Sequence, residues 1–194
     1  YYKKAFDKGE MTALSHYALM LYTGDGVPIN KNEAVKYFKI GIDNGDAVVM
    51  GNYGMALLNN EISEEKKKEG LKYIKMAADN GFDIAMNNYA CLLAEGIGVP
   101  VNLEESEKYF KMAIENGSTE ALFRFGKMLF EGECFQMDKV EGSKYLKLAA
   151  ERDHGEAAGM YGRILAEGDG VPLDKEEAIK FYKKGILLGD SNSM

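Results

Sequence analysis

The 194 residues carry a net charge of −7, from 31 acidic and 24 basic side chains interleaved along the chain. That balance argues against sequence-independent nucleic-acid binding and against an anionic membrane surface, both of which need a basic face. No apolar run approaches the ~20 residues that span a bilayer. Cys91 and Cys134 are too few and too irregularly placed for a disulfide framework, and point to free thiols in a reducing, cytoplasmic setting.

In chain order, residues 1–9 read as the end of one helical unit, because Tyr1–Lys8 matches Tyr37–Asn44. Five units of 36 residues follow, at 10–45, 46–81, 82–117, 118–153 and 154–189, and 190–194 reads as the opening of another. The expectation is a single repeat array over 1–194, cut from a longer one. Its ends, lacking polar capping units, would associate end to end. The register holds at many columns. Leu21, Leu57, Leu93, Leu129 and Leu165 share one; Glu33, Glu69, Glu105, Glu141 and Glu177 another; Tyr17, Tyr53, Tyr89, Phe125 and Tyr161 a third. A period of this length marks stacked units, none of which buries its apolar face alone.

The first unit shows the anatomy. Over residues 12–23 the apolar residues Ala13, Leu14, Tyr17, Ala18 and Leu21 fall on one face of a helix, here called helix A. Gly24-Asp25-Gly26-Val27-Pro28 ends it, and Ala34, Val35, Tyr37, Phe38, Gly41 and Ile42 mark a second helix, B. Gly45 stands where a left-handed C-cap closes B. Asn30, Asn102, Asp138 and Asp174 lie three residues before the Glu column, the spacing of a capping box. Small residues at Ala18, Gly54, Ala90, Gly126 and Gly162, and at Gly41, Ala77, Ala113, Ala149 and Gly185, let the axes approach. The column Tyr37, Tyr73, Tyr109 and Tyr145 is expected to fill the space between units.

The second and fourth units depart from this plan. Glu64–Glu69 is a strong helix former, so helix B of the second unit is expected to begin early. In the fourth, Asp153 replaces the C-cap glycine and Gly155 follows two residues later, which predicts a lengthened or re-angled turn around Asp153–Gly155.

Chemistry is sparse. His16 and His154 stand too far apart in a one-dimensional stack to form a metal or nucleophile site with the cysteines. The Gly-x-Gly-Val-Pro loops lack the Lys-Ser/Thr of a phosphate loop. No catalytic residue, metal ligand or cofactor is assigned. Glu95, Glu131 and Glu167 form an acidic rim.

The run Ala13-x3-Tyr17-Ala18-x2-Leu21-x2-Gly24-x-Gly26-Val27-Pro28-x5-Ala34-x2-Tyr37-x-Lys39 resembles the Sel-one-like repeat (SLR), an α/α unit related to the tetratricopeptide type. The resemblance spans the whole chain. It implies an all-α fold, a right-handed α/α superhelical solenoid with helix A on the concave side. It also implies a non-catalytic protein-interaction scaffold or adaptor; the alternative is a regulatory repeat module of a larger multidomain protein such as a kinase. The varying helix A columns, 15/51/87/123/159, 16/52/88/124/160 and 19/55/91/127/163, are then the expected reading surface. His16, Asn52, Asn87, Asn88, Arg124, Lys127 and Arg163 are the expected contacts to a partner protein or extended peptide, an acidic one given the cations.

Overall fold

The computed structural model of the chain describes residues 11–60 and 63–189. The matches at Tyr1–Lys8 and Ser191–Met194 lie outside these residues. The described residues form ten α-helices and no strand. Helices A are α1 (Met11–Thr23), α3 (Ala47–Asn60), α5 (Asp83–Glu95), α7 (Thr119–Glu131) and α9 (Gly155–Glu167). Helices B are α2 (Lys31–Asp43), α4 (Glu64–Asp79), α6 (Leu103–Glu115), α8 (Lys139–Glu151) and α10 (Lys175–Leu187). As the Glu64–Glu69 run predicts, α4 is the longest helix B, at 16 residues against 13 for the others.

Two sets of hydrogen bonds fix the loop between A and B. Asn30, Asn102, Asp138 and Asp174 each accept the amide N–H three residues on, so the first half of the capping box forms. The second half differs from expectation. The cap's own N–H donates to the invariant leucine nine residues back: Asn30 to Leu21 O (2.8 Å), Asp138 to Leu129 O (2.9 Å) and Asp174 to Leu165 O (2.9 Å). Glu33 and Glu105 accept instead from the side-chain amides of Asn30 (2.8 Å) and Asn102 (3.1 Å), while Glu141 and Glu177 accept from Lys144 and Lys180 (each 2.7 Å). The leucine carbonyl thus ties the end of A to the start of B, and loop length is fixed because a backbone bond depends on it.

The turn from B to the next A is a Schellman closure: Gly45 N–H donates to Ile42 O and Asp46 N–H to Gly41 O. The predicted lengthening or re-angling at Asp153–Gly155 does not occur. Asp153 takes the left-handed conformation itself (φ 64°), with its N–H on Ala150 O and that of His154 on Ala149 O. Gly155 is the first residue of α9. Aspartate tolerates this region better than most residues, and the Asp153 carboxylate pairs with Lys184 at 2.8 Å. Gly155 serves another purpose: a Cβ there would lie 3.1 Å from Leu188 Cβ. In the same way Cys134 (φ 63°) keeps the backbone of the fourth A–B loop where the first, third and fifth repeats use Gly26, Gly98 and Gly170.

Within a unit A and B cross at their smallest residues. An added Cβ on Gly54 would meet Gly70 O at 2.7 Å, and one on Gly142 would meet Gly126 O at 2.7 Å. The second small column works between units, since a Cβ on Gly41 would meet Val49 of the following helix A at 2.5 Å. Aromatic rings follow the same division. Tyr17–Tyr37, Tyr53–Tyr73, Phe125–Tyr145 and Tyr161–Phe181 pair within units at 4.8–5.5 Å. Tyr37, Tyr73 and Tyr145 thus place their rings against helix A of their own repeat. The next residue reaches the following repeat: Phe38 stacks on Tyr53 at 4.7 Å and Phe110 on Phe125 at 5.1 Å. Among residues 11–60 and 63–101, and again among 102–189, apolar faces are covered partly by their own repeat and partly by the next, as a stack requires.

The chain forms two compact units, residues 1–101 and 102–194. In the first, α1–α4 pack through a core containing Phe38, Val49, Tyr53 and Leu57. In the second, α6–α10 pack around Leu122, Leu146, Tyr161, Ile164 and Phe181.

Candidate functional site

In the first unit, His16, Asn52 and Asn88 occupy one register on α1, α3 and α5. His16 is exposed; Asn52 and Asn88 are half-buried. The Asn52 amide donates to Ser15 Oγ at 2.8 Å, and Ser15 is fully buried. Asn52 thus links α1 to α3 as well as facing outward. Asn87 departs from its expected place on an open surface: it is 3% exposed, with Oδ1 lacking a hydrogen-bond partner. Its whole column is inward. Ser15 meets Asn52, Gly51 lies under the Phe82 ring, and Phe123 stacks on His154 at 4.4 Å. Variation there reflects varying neighbours, not freedom from packing.

The first unit also holds a cavity of about 340 Å³ walled by Met55, Leu58, Leu92 and Ile97. Ile97 stands in the column that holds Asp169 in the second unit. There Lys139 reaches both Asp169 oxygens, at 2.7 and 2.9 Å, and joins α8 to the following loop. Lys67, in the Lys139 column, pairs instead with Glu64 of its own helix at 3.1 Å. The Lys67–Glu64 pair itself lies in the wall of this hollow, together with the apolar residues.

In the second unit, Arg124 and Lys127 lie on α7 and Arg163 on α9. Arg124 is committed to Glu120, one turn back on its own helix. Glu120 also meets His154 Nε2 at 3.2 Å, while His154 Nδ1 accepts the Ala157 N–H as the N-cap of α9. That bond fixes the proton on Nε2, which donates to Glu120. Burial pushes the Glu120 carboxyl upward, but hydrogen bonds from His154 and Arg124, with the Arg124 charge, outweigh it and leave it below its ordinary value.

Lys127 and Arg163 share a column on parallel helices A and meet at one cavity. Its volume is about 430 Å³, and its walls are Lys127 and Glu131 of α7, Glu156, Met160 and Arg163 of α9, and Tyr182 of α10. Gly159 contributes no side chain to the wall. Lys127 lies 3.9 Å from Glu131, too long for a hydrogen bond. Arg163 is exposed and has no ion partner among the described residues. Of the seven expected contacts, the structure brings these two to a common hollow. Sequence reasoning missed Glu156 and Tyr182. Glu156 looks like any charge in a first turn. Tyr182 had a signal, being the one hydroxyl in a column of Phe38, Ile74, Phe110 and Leu146.

The comparisons with known proteins fit this architecture. The Sel1 repeat profile matches residues 12–46, 50–82, 83–118, 119–154 and 155–190. The chain belongs to the Sel1 repeat family. Sel1 repeat proteins are generally protein-interaction scaffolds and typically non-catalytic. Among solved structures the chain is similar to a Sel1 repeat protein from Oxalobacter formigenes, with 23% identity, a TM-score of 0.78, and coverage of 95% of this chain and 73% of the other. It is also similar to c5321, a protective antigen of uropathogenic Escherichia coli displaying an SLR fold: 21% identity, TM-score 0.57, 99% of this chain and 49% of the other. The immunity protein Pa5087 from Pseudomonas aeruginosa matches at 17% identity and a TM-score of 0.68, over 100% of this chain and 74% of that one. At these identities the likeness is one of fold. A search of curated proteins finds no significant match.

The Sel1 repeats here form an all-α solenoid. Among the described residues no helix is long and apolar enough to cross a membrane, and no group of three His, Cys, Asp or Glu side chains is arranged for a metal ion.

Proposed function

We propose that this chain is a non-catalytic scaffold that captures a partner protein, or an extended segment of one, on its helix A surfaces. The observation that carries this reading is the second unit's cavity, where the Arg163 guanidinium has no ion partner among the described residues and stands beside a loosely held Lys127. An arginine left without a carboxylate at a hollow suits an acidic group on a partner, which would bind it in bidentate fashion. The apolar wall of Met160 and Tyr182 supplies the area that charge alone does not. His16 and Asn88 of the first unit offer further hydrogen-bonding positions on the same class of helix.

The test uses the whole chain as bait, alone and with Lys127→Glu and Arg163→Glu together. The double variant is expected to lose the captured partner while its thermal unfolding stays close to that of the original, because both side chains lie at the surface. Retained capture would remove the cavity from the interface.

A further inference from the structure

The cavity's charges have an order that a purely acidic ligand does not satisfy. Glu156, exposed at the start of α9, has no ion partner among the described residues, and neither does Arg163. Seven residues of helix separate them, about 10.5 Å along the axis, too far for the two side chains to neutralise one another. Between them on the same face lie Gly159 and Met160, with Tyr182 closing the wall. The site therefore runs acid, apolar, base along one helix. Lys127 reinforces its basic end, with Glu131 in the same wall 3.9 Å from Lys127 and one turn beyond it along α7.

Resting on the scaffold reading above, we infer that this cavity recognises a peptide segment that is itself doubly charged: a basic residue for Glu156, an apolar residue for the Met160–Tyr182 wall, and an acidic residue for Arg163 and Lys127. An extended strand advances about 3.3 Å per residue, so the basic and acidic residues stand three or four positions apart with the apolar one between them. Desolvating Arg163 against a carboxylate, or Glu156 against an ammonium, gains little unless both ends are met, because the unmatched charge would be left at a covered edge. The order of charges, not net charge, sets specificity. A segment with the same composition in scrambled order places like charges together at one end or both.

The full chain is used to select from a displayed library of random heptapeptides, and recovered peptides are synthesised for fluorescence polarisation. Expected binders carry one base and one acid three or four positions apart around an apolar residue. Glu156→Arg and Arg163→Glu should each weaken them roughly tenfold or more. The double variant Glu156→Arg/Arg163→Glu should instead prefer the peptide whose acid and base have been exchanged, a reversal that general loss of structure does not produce. Binders that are acidic throughout, binding insensitive to Glu156→Arg, or failure of the exchanged peptide to regain affinity would each overturn the inference. So would recovery of no binder. If the Lys127→Glu/Arg163→Glu variant still loses its captured partner in those cases, docking at the cavity stands and only the charge order falls.

Discussion

Replacing Gly142 by alanine tests the crossing of α7 and α8 directly. An added Cβ would lie 2.6 Å from Phe130 N, 2.7 Å from Gly126 O and 2.9 Å from Phe130 Cα. All three are backbone atoms of α7, so no side chain can swing aside and the two helices must separate. Overpacking of this kind costs about 1–3 kcal/mol, and rigid obstacles place it at the upper end. Exchanging glycine for alanine in a helix returns at most about 1 kcal/mol. The net expectation is destabilisation by ~2 kcal/mol, read from the midpoint of urea unfolding followed by helical circular dichroism on the whole chain. Gly126 faces the same contact from the other side, its added Cβ lying 3.1 Å from Gly142 O. Once one alanine has parted the helices, the second meets less resistance. Gly126→Ala/Gly142→Ala should therefore cost less than the sum of the single changes. A Gly142→Ala chain at least as stable as the original would refute the reasoning.

Two further outcomes follow from local geometry. Asp153→Ala should lower stability by about 1–2 kcal/mol, since alanine meets the left-handed backbone without the aspartate's tolerance and loses the Lys184 pair. Asp153→Gly should stay within roughly 0.5 kcal/mol of the original, as glycine holds the equivalent place in the other turns; thermal unfolding of the two variants separates them. Glu120 is held below its ordinary value of 4.5, so its contribution is present above that value and is lost as pH falls through its lower folded value. Thermal midpoints of Glu120→Gln should accordingly fall less than those of the original chain when pH is lowered from about 6 to 3.

The stack was legible because a period repeats its constraints. Leu21 and its four equivalents announce themselves, and at Leu21, Leu129 and Leu165 a backbone bond from the loop depends on the column. What resisted reading were positions where two repeats adjust to each other. Ser15 with Asn52, Gly51 with Phe82 and Phe123 with His154 vary together, and in one column that looks like solvent exposure. Asn87 was misplaced for that reason. Asp153 and Gly155 suggested a shifted cap because the sequence does not reveal that Leu188 lies against Gly155. At the cavity, Lys127 and Arg163 stood out as cations where other units hold Leu19, Met55 and Cys91. Glu156 did not, because a carboxylate in a first turn is what any helix favours.

Docking at helices A of the second unit is tested most directly by lysine footprinting. The whole chain is acetylated under limiting reagent, alone and in its captured complex, and the modification of each lysine is quantified by mass spectrometry. Lys127 should be protected in the complex, while Lys144 and Lys180 on helices B react as they do in the free chain. Protection of Lys144 and Lys180 with Lys127 unchanged would contradict the account.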